Sequence, residues 1–161
     1  MKIAILSDTH DHVEHIKRFV KKIKSMQIST VLHAGDYCSP FTIPLFQGLD
    51  LVGVFGNNDG DHFRLIQKFQ DINAEIHNEL HEREMDGRLI ALYHGTQPAI
   101  TEALVLCGKY DLVVSGHTHK VVQEKHAKTL WLNPGPLHGF GGDATFALYD
   151  TASGEADILQ I

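Results

Sequence analysis

Apolar and polar positions along this chain alternate between two periods. Residues 2–7 form a short apolar run, the pattern of a buried strand. Val13, Ile16, Phe19, Val20, Ile23 and Met26 then recur at helical spacing. Apolar runs over 30–34 and Leu51–Phe55 predict two more strands, and Phe63, Ile66 and Phe69 predict a second helix. Asp86-Gly87 is a strong hairpin signal between strands over 80–85 and 88–93. Residues 97–107 read as a helix and 111–115 as a buried strand. From 121 onward the pattern is β, with short runs near 121–125, 129–132, 144–149 and 155–160.

The first half therefore alternates strand and helix, while the last third is mostly strand. That order predicts an α/β fold in which two sheets pack face to face with helices outside. The alternative, one doubly wound sheet, fits the helix-poor C-terminal third less well. At 161 residues the size prior is one domain spanning 1–161. Such a chain buries roughly 70% of the surface it would expose unfolded, so it needs no covalent staple.

Five of the apolar runs end in metal-type donors. Ile3–Leu6 leads into Asp8 and His10, Val31–Leu32 into Asp36, and Leu51–Phe55 into Asn57, Asn58 and Asp59. Leu89–Tyr93 leads into His94, and Leu112–Val114 into His117 and His119. Ligands of open α/β sheets bind at the carboxyl ends of strands, so these five endings describe one pocket. Asp8 and His10, like His117 and His119, are two apart, a spacing that puts side chains on one face of extended chain. Gly35, Gly56 and Gly95 flank Asp36, Asn57 and His94, where a sharp backbone turn would help.

Carboxylate, imidazole and amide oxygen together suit two divalent ions, with Mn, Ni, Fe, Co or Zn as candidates. No thiolate joins the set, which argues against an iron–sulfur cluster or a cysteine-based zinc site. Two dications less two carboxylates and one hydroxide leave a net charge of about +1, which attracts a phosphate ester.

Composition adds limits. The chain is 43% hydrophobic and 21% charged, ordinary for a globular protein, but carries 12 histidines. Its net charge of −6 argues against broad nucleic-acid binding. Lys17, Arg18, Lys21, Lys22 and Lys24 read as the solvated face of the first helix. Cys38 and Cys107 form no CxxC pair and are expected as buried or half-buried free thiols. No apolar run approaches a membrane span and no signal-peptide core is present, so a cytoplasmic location is expected. Homo-oligomers are common among small enzymes, but no sequence feature requires one.

The ordered motifs SDTH, HAGD, GNND, HG and GHTH, with Asn133-Pro134-Gly135 after them, resemble the calcineurin-like metallophosphoesterases. The likeness covers essentially the whole chain and is closest to the small phosphodiesterase branch of bacteria and archaea. It implies a four-layer αββα sandwich of two mixed sheets flanked by helices. It also implies one ion held by Asp8, His10, Asp36 and His119, and a second by Asp36, Asn57, His94 and His117. Asp36 would be the bridge. The implied activity is hydrolysis of a small phosphodiester by a metal-activated bridging hydroxide, with Asp36, His94, Asn57 and Asp59 as catalytic residues. A phosphomonoesterase and a non-enzymatic protein-binding scaffold are the alternatives, since some relatives use this fold as a scaffold.

Two departures stand out. Many relatives carry a histidine, thought to protonate the leaving group, where this chain has Asn58. Pro136 stands where some relatives have serine. Of the remaining candidates, Asp59 reads equally as a support for the site or as the start of a helix. His33 reads as a satisfied core histidine. Asp11, His12 and His138 read as loop or cap residues, and Trp131 and Phe140 as core or interface aromatics.

Overall fold

The computed structural model describes residues 1–161 as two mixed β-sheets covered by helices. Along the chain the strands are β1 (Lys2–Leu6), β2 (Thr30–His33), β3 (Asp50–Val54), β4 (Glu75–His77), β5 (Leu80–Met85) and β6 (Arg88–Tyr93). They continue as β7 (Leu112–Val114), β8 (Val121–His126), β9 (Thr129–Pro134), β10 (Thr145–Asp150) and β11 (Glu155–Gln160). The helices are α1 (Val13–Ser25), α2 (His62–Asp71) and α3 (Pro98–Leu106), and Pro40–Phe46 forms a 3-10 helix.

One sheet has the order β11-β10-β1-β2-β3-β4 and the other β5-β6-β7-β9-β8. β1 to β4 run parallel, as do β6, β7 and β9; β10 and β11 extend the first sheet antiparallel beyond β1, and β5 and β8 close both edges of the second antiparallel. Strand alternation creates the layers. Ile3 and Ile5 of β1 face Ile90, Leu92, Leu112 and Val114 across the interior. Ala4 and Leu6 of the same strand face Ile16, Phe19 and Ile23 of α1. On the outside of the second sheet, Val105 of α3 covers Ala91 and Val113. The order helix, sheet, sheet, helix is the expected αββα sandwich.

Several elements differ from expectation. β4 and the 3-10 helix were not anticipated. β4 has three residues and one apolar side chain, too short for a period to register. The 3-10 helix carries Pro40 and Pro44, which read as loop. In α2 the apolar stripe is misleading, because Phe63 and Ile66 are exposed while Leu65 and Phe69 are buried. Met26 is exposed as the cap residue that ends α1. The basic side chains of α1 are not simply solvated: Arg18, Lys22 and Lys24 donate to the carbonyls of Ile161, Gln160 and Gln47.

Candidate metal centre

The carboxyl ends of β1, β2, β3, β6 and β7 bring the predicted residues to one end of the sandwich. Strand alternation is not what aims them. Asp8, His10, Asp36, His117 and His119 all have left-handed backbone, with φ of 52°, 38°, 61°, 66° and 55°. Non-glycine residues pay for that conformation, so surrounding structure must hold it. The β1 and β2 loops zip together by backbone bonds from Asp8 N to Gly35 O and from Thr9 N and His10 N to Asp36 O, each 3.1 Å. Gly116 supplies space: a Cβ there would lie 1.8 Å from Ser7 Oγ and 2.8 Å from Asp8 Oδ2. At Gly56 a Cβ would lie 2.2 Å from Asp36 Oδ1.

Two donor groups result. In the first, His10 Nε2 lies 3.3 Å from Asp36 Oδ2 and 3.8 Å from Asp8 Oδ1, and His119 Nε2 lies 3.3 Å from Asp8 Oδ1. In the second, His94 Nε2 lies 3.3 Å from Asp36 Oδ1 and 3.0 Å from Asn57 Oδ1. Donors around a divalent ion at about 2.1 Å are about 3.0–3.4 Å apart, so four of these five separations have the spacing of a coordination shell and the His10–Asp8 separation is longer. Asp36 offers one oxygen to each. His117 contributes its backbone N–H to Asp8 Oδ2 at 3.1 Å, and its ring meets that of His94 edge-on at 5.3 Å.

The chemistry of the donors fits a cation. His94 Nδ1 donates to Ala34 O at 2.6 Å, which leaves the Nε2 lone pair of the neutral ring facing two oxygens. Asp8 Oδ1 and His10 Nε2 are buried yet make no hydrogen bond. A buried polar atom without a partner is costly, and a divalent ion would satisfy both.

Without an ion the charges press on one another. The Asp36 and Asp8 carboxylates push His10 up to about 9. Burial drives the Asp36 carboxyl up, but His10, His94 and Asn58 outweigh it and hold it well below the carboxylate range. Burial likewise opposes His10, Ser7 and His94 at Asp8, and the net direction is down. His94 is raised, since Asp36 and Asp8 overcome its desolvation.

Asp59 belongs to the support of this site. It is buried; its Oδ2 accepts from Gly56 N at 2.7 Å and Asp36 N at 3.1 Å, and its Oδ1 from Cys38 N at 2.8 Å. The α2 cap is Asp61 instead. His33 is a satisfied core histidine, bonded to Gly35 N and Thr9 Oγ1 and pushed down to about 3 by burial. Asp11 binds Ser39 N and Oγ, a loop role.

Other residues fall where the sequence did not point. Asn58 clamps Asp36, its backbone N–H donating to Oδ1 at 2.8 Å and its amide to Oδ2 at 2.7 Å. His138 is no mere loop residue: one of its ring nitrogens lies within 4.8 Å of a ring nitrogen of His10 and of His119. Phe140 is 64% exposed, set against the His138 and His12 rings at the rim, so it is not a core aromatic. Cys38 Sγ lies 3.6 Å from His10 Nδ1, but burial and nearby carboxylates push the thiol up to about 12, where it is no nucleophile. Cys107 is exposed rather than buried.

A match to the model of the calcineurin-like phosphoesterase superfamily domain spans residues 1–154. The chain belongs to the calcineurin-like phosphoesterase superfamily. It is 36% identical over 159 residues to a phosphodiesterase of Methanocaldococcus jannaschii, covering 96% of each chain. It superimposes on a solved archaeal phosphodiesterase with a TM-score of 0.95 at 33% identity over all of both chains. A phosphoesterase from E. coli shares the fold at a TM-score of 0.71 and 16% identity, covering 100% of this chain and 98% of that one. This member of the superfamily is thus a phosphoester hydrolase with residues placed to bind divalent metal. No helix in it is long and apolar enough to cross a membrane.

Proposed function

We propose that the protein, acting as one domain over 1–161, is a dinuclear metal-dependent phosphodiesterase for small phosphodiesters. The observation that carries this reading is Asp36, whose two oxygens each lie 3.3 Å from a different imidazole Nε2, those of His10 and His94. A carboxylate between two donor groups is the natural bridge of a two-ion site. Asp8, His10 and His119 would complete the first position, and Asn57, His94 and His117 the second. The mixed nitrogen and oxygen donors suit Mn, Ni, Fe, Co or Zn. When bound, such a pair lowers the pKa of water and polarises the phosphoryl oxygens.

The protein's own contribution is placement. Asp59 fixes the backbone of Asp36, and Asn58 fixes its carboxylate. The Ala34 carbonyl holds His94 in the tautomer that leaves Nε2 free, the orientation a ligating imidazole needs. Asn58 offers no acid at neutral pH, so the reading favours esters whose leaving groups depart without protonation.

The test is hydrolysis of bis-p-nitrophenyl phosphate and p-nitrophenyl phosphate by chelated protein, with Mn, Ni, Co, Zn or Mg added back singly and Asp36→Ala as the blank. Faster metal-restored cleavage of the diester supports the proposal. Preference for the monoester makes the protein a phosphatase. No turnover with any metal, despite measured metal binding, points to a protein-binding scaffold.

A further inference from the structure

His138 is held in one tautomer by the backbone. Its Nδ1 accepts from Phe140 N–H at 2.7 Å. A nitrogen that accepts from an amide carries no proton of its own, so the proton of the neutral ring sits on Nε2. His138 is 3% exposed, and its backbone N–H donates to Asp8 O at 3.0 Å, so the ring is seated against the wall of the site. The Phe140 ring packs at 4.5 Å against its outer side. The Nε2–H points inward and meets His119 Nδ1 at 3.3 Å.

This excludes one role and defines another. A neutral imidazole with both nitrogens so engaged has no lone pair left at Nε2, so His138 is not an additional metal ligand despite its place among His10 and His119. If His119 presents the Nε2 lone pair to an ion, its own proton must move to Nδ1. Two N–H groups would then face each other, and the His138 donor would need another acceptor. Resting on the phosphodiesterase reading above, we propose that His138 is a substrate-contacting residue. Its Nε2–H donates to a phosphoryl oxygen beside the Asp8, His10 and His119 group.

Two measurements test this, both without turnover. Long-range proton–nitrogen NMR of the zinc-loaded protein should show His138 protonated at Nε2, and that proton should shift on adding inorganic phosphate. A His138 proton on Nδ1, or a zinc-bound Nε2, overturns the proposal. Calorimetry then compares phosphate binding by the zinc-loaded wild type, His138→Ala and His138→Gln. The alanine variant should lose about ten- to a hundredfold in phosphate affinity, the worth of one bond to a charged oxygen. Glutamine, which keeps an N–H near that position, should recover most of it. Zinc affinity should stay within threefold in both. Unchanged phosphate affinity in the alanine variant overturns the proposal, as does a fall in zinc affinity as large as that of His10→Ala. A wild-type protein that binds no zinc overturns the two-ion reading itself, a result separable from the others.

Discussion

Asp59 is the residue through which the support of the site can be weighed. Asp59→Ala leaves the backbone N–H groups of Gly56, Asp36 and Cys38 without their acceptor. Each bond to a charged acceptor is worth about 1.5–3 kcal/mol, so the gross loss is about 5–9 kcal/mol. The carboxylate also pays to be buried, which raises its pKa, and removing it returns part of that cost. Water entering the vacated space recovers more. A net destabilisation of about 3–4 kcal/mol is expected, roughly 10 °C in Tm for a chain of this length. Asp59→Asn discriminates further. Its single oxygen can serve Gly56 and Asp36, which share Oδ2, leaving only Cys38 N unpaired. The expected cost is about 1–2 kcal/mol, or roughly 4 °C. Because Asp59 fixes the backbone of Asp36, metal affinity should fall about tenfold even in the folded asparagine variant. Differential scanning calorimetry on chelated protein and zinc titration at 25 °C read the two effects. An alanine variant that melts with the wild type, or an asparagine variant that binds zinc as tightly, would refute the argument.

Chelation should lower the wild-type Tm, since an ion at a hundred times its Kd adds about 2.7 kcal/mol, and Asp36→Ala should remove most of that response. An unchanged melting curve on chelation would mean that the donors do not bind. In chelated protein, His10 is raised from 6.5 to about 9, so its stabilisation is complete below pH 6.5 and lost as pH climbs through 9. The same contact depresses Asp36, whose contribution is present above its unfolded pKa and lost in acid; counted once, the alkaline loss is about 3 kcal/mol. Melting scans from pH 6 to 9.5 should show a decline that His10→Ala reduces by more than half, the remainder coming from His94, which is also raised; a flat wild-type profile contradicts it. Asn58→His should speed cleavage of an alkyl phosphodiester by about ten- to a hundredfold relative to bis-p-nitrophenyl phosphate, whose own rate should fall with the loss of the amide bond to Asp36 Oδ2. No relative gain on the alkyl ester would show that leaving-group protonation does not limit the reaction.

The donor residues were legible because their types recur at strand ends, a pattern that needs no coordinates. How they are aimed was not. The spacing of Asp8 and His10 suggested strand alternation, yet β1 ends at Leu6 and both donors sit beyond it in left-handed backbone. Non-glycine residues at positive φ leave no mark in a hydrophobic pattern. Asp59 and Asp61 look alike as helix starters, and only the position of the Gly56, Asp36 and Cys38 amides separates them. The hairpin at Asp86-Gly87 was readable because its turn chemistry is local. By contrast, β10 pairs with β1 across nearly the whole chain, and nothing near either strand announces it. Phe140 and Phe63 show the limit of reading burial from residue type: both are large and apolar, and both are exposed.

The bond from His117 N to Asp8 Oδ2 joins residues 109 positions apart and links loops from different sheets. Such a contact waits until both sheets have formed and docked, because closing so long a loop is repaid only by the packing around it. The donor groups therefore belong to the end of folding and are absent from its transition state. Metal should then leave the refolding rate unchanged and act only on the reverse step. At a hundred times Kd, one ion would slow unfolding about a hundredfold. The centre at the strand ends is thus a latch on a structure already built.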